Sequence, residues 1–201
     1  MSKWQLLAKL RWGNPGTPEH PNKQWEQDNI VSVALPFLMH CAYTGVRTAR
    51  FHRKEASKLT AALEAVLRAA EAEVRDSDTW RTLRVELKRQ HNFDRSLTTE
   101  FYDEQMKEWV GKEAFKLIAA CGGDLFGGSF VLRYTRGYEA EKILSPHAYG
   151  IAVDIDPAHN PMGSKLVTTF PEWYIAAWKS AGFRWGGDFR KRKDAMHLEI
   201  A

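Results

Sequence analysis

The sequence predicts an α+β fold, in which N-terminal helices pack on a small, mainly antiparallel sheet. Long stretches before residue 123 carry apolar residues at helical spacing, whereas the segments after it are short and strand-like. The chain has 201 residues, of which 44% are hydrophobic and 12% aromatic, and this is enough for one sizeable core. We therefore expect one domain over residues 1–201, with a helical portion at 1–127 and a sheet portion at 128–201.

The N-terminal segment is predicted to be an irregular arm. Residues 12–29 are rich in glycine, proline and asparagine, which favour turns. Residues 30–37 follow as a short apolar segment of extended character.

Two amphipathic helices are predicted next, over residues 54–75 and 98–120. In the first, apolar residues recur every three or four positions and charged residues take the other side. The second ends at Gly122 and Gly123, a common way for a helix to end. Its apolar side is formed by Phe101, Met106, Trp109, Val110, Leu117 and Ile118.

The remaining part is predicted to contain strands at residues 129–134, 151–155 and 195–200. Each is short and rich in β-branched or other apolar residues. One more helix is expected at residues 171–181, because proline stands at its first turn and Gly182 follows its end.

Charge and cysteine usage narrow the class of protein only in part. The net charge of +4 suits nucleic acid, anionic lipid or an anionic cell-wall polymer. Cys41 and Cys121 are far apart, and we expect two unpaired thiols. The chain lacks an apolar run of membrane-spanning length and the features of a signal peptide, so we expect a soluble protein made in the cytoplasm.

His147, Asp154 and a distant His197 predict a zinc site. On the predicted strand 151–155 the β-branched residues share one face, so Asp154 lies on the other face. Gly150 can turn the backbone and bring His147 over the start of that strand. Two imidazoles and one carboxylate give Zn²⁺ three ligands and leave its fourth position open for water, as in catalytic sites.

Two further carboxylates accompany His197. Asp194 stands at the beginning of the last predicted strand, where a turn can aim it at the metal, and we assign it as general base and later proton donor. Glu199 shares a strand face with His197, and we interpret it as a carboxylate that orients a ligand histidine.

Structural roles are the alternative for these residues. A single histidine near a strand is more often hydrogen-bonded than metal-bound, and the spacing His-x6-Asp with a distant histidine is only moderately specific. Because four residues of the expected types occur together in two segments, the metal site is favoured over structural roles. His159, in a turn-forming segment, is expected at the surface.

Three motifs resemble a known family. Ser145 to Asp154 reads Ser-x-His-x-x-Gly-x-Ala-x-Asp, Asp194 to Glu199 reads Asp-x-x-His-x-Glu, and residues 182–188 read Gly-Phe-x-Trp-Gly-Gly-Asp. In this order they resemble zinc D-alanyl-D-alanine carboxypeptidases and L-alanyl-D-glutamate endopeptidases, which include vancomycin-resistance D,D-peptidases and phage endolysins. The resemblance covers about residues 128–200.

The resemblance implies His147, Asp154 and His197 as Zn²⁺ ligands and Asp194 as the catalytic carboxylate. The family also carries an arginine on the strand before the first ligand, for which Arg133 is the better match and Arg136 the competitor. Its guanidinium would hold the scissile carbonyl oxygen or a substrate carboxylate. Other candidates for positions around the site or for substrate contacts are Glu199, Ser145, Trp185, Asp188 and Phe189.

The function implied is hydrolysis of a peptide bond in a peptidoglycan stem peptide. A phage endolysin that cleaves L-alanyl-D-glutamate and reaches the wall after holin-type release is the first interpretation, since the chain is basic and shows no signal peptide or separate wall-binding module. A D-alanyl-D-alanine carboxypeptidase or dipeptidase is the alternative within the enzyme class.

Two non-catalytic alternatives belong to different classes of protein. One is a cell-wall binding protein that keeps the fold, and the other is a nucleic-acid binder built on residues 50–95. Acidic residues such as Glu64 and Glu71 interrupt the basic face of that segment, so we expect no nucleic-acid partner. We expect a monomer with no membrane span.

Overall fold

The computed structural model describes residues 3–41, 44–93 and 99–201, and it confirms the α+β fold. Residues 1–2 of the predicted domain and residue 98 of the predicted second helix lie outside the described residues. The helices are α1 (Lys3–Trp12), α2 (Lys23–Asn29), α3 (Ala56–Asp76), α4 (Asp78–Phe93), α5 (Thr99–Ala120) and α6 (Glu172–Ser180). The strands are β1 (Ile30–Cys41), β2 (Thr44–His52), β3 (Phe126–Gly128), β4 (Ala152–Ile155), β5 (Met162–Gly163), β6 (Phe183–Trp185), β7 (Lys193–Asp194) and β8 (His197–Ile200).

The portion predicted to be mainly helical contains a long antiparallel hairpin, which begins in the segment expected to be extended. Strand β1 continues well past residue 37 and pairs with β2, with Ile30 opposite His52. The register shifts between Ala34 and Met39, where Pro36 has no N–H to donate to a neighbouring strand. The prediction of a helical portion over residues 1–127 is therefore wrong for this hairpin, because β2 is mostly exposed and lacks a strong apolar signal.

Helix α3 is the central helix and agrees closely with the predicted range. It packs against α5, α6 and β1. Its buried side chains recur every three to four positions, as the amphipathic pattern requires. They are Leu59, Ala62, Leu63, Val66, Ala70 and Val74.

Helix α5 buries a narrower face than its sequence predicts. Val110, Ala114 and Ile118 are buried at successive spacings of four. Phe101 and Leu117 instead lie at the exposed side of the helix. Leu117 is one position, or about 100°, away from the buried row, so it lies toward the exposed side of the helix.

Helix α1 precedes the predicted irregular arm at residues 12–29, and helix α2 replaces part of it. In α1 the buried residues are Gln5, Ala8 and Trp12. The leucines of α1 are exposed, so hydrophobicity alone gives no helical period there. Helix α2 begins after Asn22, whose side chain accepts a hydrogen bond from the Trp25 N–H at 3.0 Å.

Helix α4 was also missed, because charged residues dominate its sequence. The signal that marks its beginning is Ser77, whose Oγ accepts a hydrogen bond from the Trp80 N–H at 3.1 Å. A serine at this position satisfies a backbone donor that the first helical turn leaves open.

The sheet that carries the candidate site has four antiparallel strands in the order β3-β4-β8-β6. Asp154 lies directly opposite His197, and Ala152 lies opposite Glu199. Residues directly opposite in an antiparallel pair share a face of the sheet. Strand β3 begins at Phe126, so the sheet starts before the predicted boundary at residue 128.

Residues 129–134 do not form the predicted strand, so Arg133 lies in an irregular segment. The segment runs beside residues 143–147. Ser145 N–H donates to the Arg133 carbonyl at 3.0 Å, and Val131 N–H donates to the His147 carbonyl at 3.3 Å. Pro146 cannot donate and begins a short 3-10 helix, Pro146–Tyr149, so a regular ladder cannot continue.

The helices and the sheet share one continuous hydrophobic cluster. It includes Leu63 of α3, Ile118 of α5, Trp178 of α6 and Leu198 of β8. Within the described ranges, the helices fall short of the length and apolar character needed to cross a membrane. Both cysteines are free, with Cys41 exposed and Cys121 buried.

Candidate metal centre

His147, Asp154 and His197 converge on one point at the sheet surface. His147 lies on the 3-10 helix Pro146–Tyr149, Asp154 on β4 and His197 on β8. His147 Nε2 lies 3.2 Å from Asp154 Oδ1 and 3.2 Å from His197 Nδ1. His197 Nδ1 lies 3.1 Å from Asp154 Oδ1. The three atoms form a nearly equilateral triangle.

The backbone around His147 is shaped for this convergence. Ser145 begins the 3-10 helix, and its Oγ accepts a hydrogen bond from the His147 N–H at 3.3 Å. Gly150 ends the helix in the left-handed conformation, at φ 65°. A Cβ there would lie 2.7 Å from Ile30 Cδ1 and 3.0 Å from the His52 backbone nitrogen. Glycine is therefore required at residue 150 for two reasons. The turn has a positive φ there, and Ile30 of β1 and His52 of β2 lie too close for a larger side chain.

Hydrogen bonds on the far side of each imidazole determine which nitrogen carries the proton. His147 Nδ1 lies 2.5 Å from the Ser129 carbonyl oxygen, and His197 Nε2 lies 3.0 Å from Glu199 Oε2. These oxygens only accept, so the outer nitrogens donate to them. In neutral rings the lone pairs of His147 Nε2 and His197 Nδ1 then face Asp154.

This donor set fits a divalent metal ion. Two imidazole lone pairs and a carboxylate oxygen repel one another unless a cation or a proton lies between them. Tetrahedral zinc with bonds of about 2.0–2.1 Å places its ligand atoms roughly 3.3–3.4 Å apart. The observed separations of 3.1–3.2 Å are close to that value. Among the described residues, these three are the group whose ligand atoms lie close enough to hold a metal.

Neighbouring charges shift the pKa values of His197 and Asp154. Burial alone would lower the pKa of His197, but hydrogen bonds and charge from Asp154 and Glu199 outweigh it and raise the pKa to about 10. Burial would raise the pKa of Asp154, but the two imidazoles hold it well below its usual range. A metal ion must therefore displace a proton when it binds.

Asp194 supplies a second kind of carboxylate beside the group. Its Oδ1 is buried and has no hydrogen-bond partner among the described residues. Burial raises the pKa of this carboxyl, although the positive charge of His197 opposes the shift. A buried oxygen without a partner costs free energy, and such oxygens are typical of sites that bind something.

The position of Asp194 depends on a close approach of two backbones. Asp194 lies on β7, opposite Met162 of β5. A Cβ on Gly186 would lie 2.3 Å from the Asp194 carbonyl oxygen and 3.0 Å from its Cβ. Only glycine fits at residue 186 without moving Asp194.

Glu199 holds His197 from the side away from Asp154. Its carboxylate is buried and accepts hydrogen bonds from His197 Nε2 and from the Arg184 guanidinium. Burial would raise the pKa of Glu199, but these two partners hold it below its usual value. Glu199 is thus charged and accepts the hydrogen bond of the His197 ring.

The group opens into a cavity of about 340 Å³. Its lining includes Asp154, Asp194, His197, Glu199, Ser145, Arg133 and Arg136, together with several apolar side chains. A cavity of this size suits a small ligand.

Arg133 and Arg136 both reach this cavity, so their geometry does not select one of them. Burial lowers the pKa of the Arg133 guanidinium, and the negative charge of Asp154 partly restores it. Among the described residues, neither guanidinium lies within ion-pair distance of a carboxylate. Two arginines without such a partner provide positive charge for an anionic group of a ligand.

Two predicted site residues do not line the cavity. Trp185 is buried in the core, and its Nε1 donates to the Ala195 carbonyl at 2.7 Å. Asp188 points away from the cavity and pairs with Lys179 Nζ at 2.7 Å. Phe189 does line the cavity, beside the metal group.

Sequence reasoning missed three contributors to the site. The Ser129 carbonyl and Arg184 hold His147 and Glu199 in place, and Trp4 lines the cavity from the N-terminal helix. A backbone carbonyl leaves no residue-type signal. The alternation in β6 could have indicated Arg184, because it lies opposite Glu199.

The comparison with protein families agrees with this site. Residues 139–200 match a family model described as D-alanyl-D-alanine carboxypeptidase. The family resemblance is confirmed. The matched range contains the three converging residues, Asp194 and Glu199, whereas Arg133 and Arg136 precede it. No solved structure gives a significant match to the chain.

The chain is thus similar to carboxypeptidase-like metallopeptidases over the part that carries the metal group. The geometry combines three converging metal-binding atoms, an unpartnered carboxylate and two arginines around one cavity. Such a combination can activate water against a carbonyl and stabilise negative charge.

Proposed function

We propose that this protein is a zinc-dependent peptidase that hydrolyses a peptide bond in peptidoglycan stem peptides. The convergence of two imidazole lone pairs and the Asp154 carboxylate carries this proposal. The match of residues 139–200 to a D-alanyl-D-alanine carboxypeptidase model supports the type of substrate.

His147, Asp154 and His197 would hold the zinc ion. When bound, zinc supplies Lewis-acid activation of the scissile carbonyl and of water. The Ser129 carbonyl and Glu199 keep the two rings oriented, so both inner nitrogens face Asp154 without rotation of the rings, and His197 has only to lose its proton.

Asp194 acts as the proton carrier in this proposal. Its unpartnered Oδ1 accepts the proton from the attacking water and later delivers it to the amine that leaves. The raised pKa of the carboxyl helps it to hold the proton between these two steps. Net hydrolysis adds the water oxygen to the carbonyl carbon and a proton to the leaving nitrogen.

Arg133 or Arg136 stabilises negative charge on the substrate. Arg133 is the deeper of the two and is influenced electrostatically by both Asp154 and Asp194. We therefore assign Arg133 to the carbonyl oxygen as negative charge develops on it, and Arg136 to a carboxylate of the peptide.

We propose L-alanyl-D-glutamate as the bond cleaved, in the manner of a phage endolysin. The net charge of +4 supports action on an anionic wall. As an endolysin the chain would act as a monomer after holin-type release, with residues 1–201 as one catalytic unit.

A D-alanyl-D-alanine carboxypeptidase is the second candidate. The description of the matching family model favours it, and so do two arginines available for a C-terminal carboxylate.

Digestion of purified peptidoglycan tests both candidates. Zinc-loaded protein is incubated with the wall material, and the soluble fragments are analysed by mass spectrometry, with a chelated sample as control. New L-alanine and D-glutamate ends support the endopeptidase, whereas free D-alanine supports the carboxypeptidase. Intact peptidoglycan in the zinc-loaded sample would contradict the proposed function.

A further inference from the structure

The cavity of the metal group has an apolar wall that comes partly from the N-terminal helix. Trp4 of α1 lines the cavity together with Tyr138, Ile143 and Phe189. Trp4 lies outside the range that matches the family model. More than 140 residues separate it along the chain from His147, the first of the metal-binding residues.

Helix α1 is anchored so that Trp4 has a defined position. Gln5 Nε2 donates to the Lys142 carbonyl at 2.9 Å, which ties the start of the helix to the loop that also carries Tyr138. At the other end, Trp12 Nε1 donates to Glu55 Oε1 at 3.0 Å, and Arg11 contacts the carbonyl of Ala201 at 3.3 Å.

The side of α1 that faces the protein carries both tryptophans of the helix. Ala8 and Trp12 are buried and Trp4 is partly buried, whereas the leucines are exposed, with Leu10 at 75%. This orientation buries the large indole of Trp12 and places Trp4 at the cavity.

Trp4 is also linked to the 3-10 helix that positions His147. Its ring lies edge-on to the ring of Tyr149, with centroids 5.7 Å apart. Tyr149 is fully buried and lies two residues from His147. The indole is only partly buried, so it keeps an apolar surface that faces the cavity.

We propose that Trp4 is a substrate-binding residue, whose indole packs on an apolar part of the peptide away from the reacting bond. This inference rests on the proposed function, because it takes a stem peptide as the ligand. Indole surface combines a large apolar contact area with little loss of side-chain freedom. Arg133 and Arg136 bind charge in the same cavity, so the cavity recognises a peptide with an anionic group next to apolar surface.

The test compares Trp4→Ala and Trp4→Phe in the full, zinc-loaded chain. The probe is a soluble stem tetrapeptide, L-Ala-D-Glu-diaminopimelate-D-Ala, assayed for kcat and KM. We expect Trp4→Ala to raise KM roughly 10-fold with kcat within about 2-fold, because a contact made equally in the ground and transition states changes KM alone. Trp4→Phe keeps a ring and should stay within about 3-fold of the wild type.

Two controls separate binding from folding. Leu10→Ala changes the exposed side of the same helix and should alter neither KM nor kcat. Calorimetric titration of the tetrapeptide into zinc-loaded Asp194→Asn protein, with and without Trp4→Ala, gives dissociation constants without cleavage. A weaker dissociation constant with an unchanged midpoint of thermal unfolding supports the role of Trp4.

The remaining outcomes distinguish this inference from the proposed function. An unchanged KM and dissociation constant in Trp4→Ala would overturn the role of Trp4 while cleavage by the wild type upholds the function. If Trp4→Ala loses both kcat and thermal stability, Trp4 has a packing role. That result would also overturn its role in substrate binding. A protein that binds the tetrapeptide but never cleaves it would contradict L-alanyl-D-glutamate as the bond cleaved, and the dissociation constants would still decide the role of Trp4. A protein that does not bind the tetrapeptide would contradict both.

Discussion

The buried polar groups of the N-terminal part and those of the C-terminal part are used in opposite ways. In the N-terminal part, Glu55 accepts from Trp12 at 3.0 Å and pairs with Lys58 at 2.9 Å. In the C-terminal part, acceptor atoms of His147, Asp154 and His197 face one another. The first arrangement satisfies its own charges, whereas the second needs a proton or a metal ion between its acceptor atoms.

Two buried histidines show the same contrast. Burial lowers the pKa of His52, whose ring nitrogens contact the Trp12 carbonyl and the Lys54 N–H at 3.2 Å each. Carboxylates on both sides of His197 overcome its burial and raise its pKa to about 10. A buried polar residue therefore indicates function only when its neighbours leave a charge or a lone pair unmatched.

The largest expected effect comes from removing a metal-binding side chain. His147→Ala leaves two ligands, too few for a stable zinc site, so metal content should fall from about one ion per chain to near zero and peptidase activity should disappear. Elemental analysis of the purified protein and the peptidoglycan assay measure these changes. His159→Ala, which alters an exposed histidine that contacts Asp156, should keep both, and retained zinc in His147→Ala would contradict the site.

Asp194→Asn should separate metal binding from chemistry. The amide keeps the shape of the side chain but cannot carry the proton, so kcat should fall about 10²–10⁴-fold while zinc content stays unchanged. Asp188→Asn is the matched control, because Asp188 pairs with Lys179 and does not line the cavity. Wild-type kcat in Asp194→Asn would remove Asp194 from the mechanism.

Leu63→Ala tests the N-terminal part of the molecule, where we expect a change in stability and no change in metal content. Leu63 of α3 is 1% exposed, and its truncation leaves a cavity in the core, so the free energy of unfolding should drop by about 2–5 kcal/mol. Urea denaturation measures this loss, and zinc content of the folded protein should remain at one ion per chain. The matched control Leu10→Ala, at a leucine that is 75% exposed, should change stability by less than about 0.5 kcal/mol. Loss of zinc together with stability would show that the two parts are not separable.

The smallest effect is expected for Glu55→Gln and depends on pH. Burial would raise the pKa of Glu55, but Lys58, Trp12 and Arg11 outweigh it and lower the pKa. A lowered folded pKa stabilises the protein above the pKa of the unfolded chain, and this contribution is lost as pH falls through the folded pKa. The variant should lose about 1–2 kcal/mol at pH 7, and the difference should shrink as pH falls through the lowered pKa of folded Glu55. Urea denaturation at several pH values measures it, and a difference that does not change with pH would contradict the ionic origin.

Much of the candidate site follows from local patterns. The alternation in β4 and β8 placed Asp154, His197 and Glu199 on one face, and the register of the two strands now pairs Asp154 with His197. The helical period found α3, and the boundary residues Pro171 and Gly182 found α6, each within a few residues. These predictions succeeded because burial of one face imposes a period that the residues themselves display.

Other parts depend on contacts that leave no local pattern. Residues 129–134 have strand-forming residues, yet Pro146 in the neighbouring segment prevents a regular ladder. Helix α4 is too charged to show an apolar face clearly, and only the cap at Ser77 marks it. Trp185 matched the family motif but packs into the core instead of the cavity.

The sequence by itself determined the fold class and pointed to the three residues that could hold a metal, since residue type and period 2 on a strand are local properties. The tertiary structure decided which atoms meet. It brought the Ser129 carbonyl to His147, left Asp194 Oδ1 without a partner and placed Trp4 in the cavity. These features join residues that are distant along the chain, and their geometry comes from packing of α1, the hairpin and the sheet around one hydrophobic cluster.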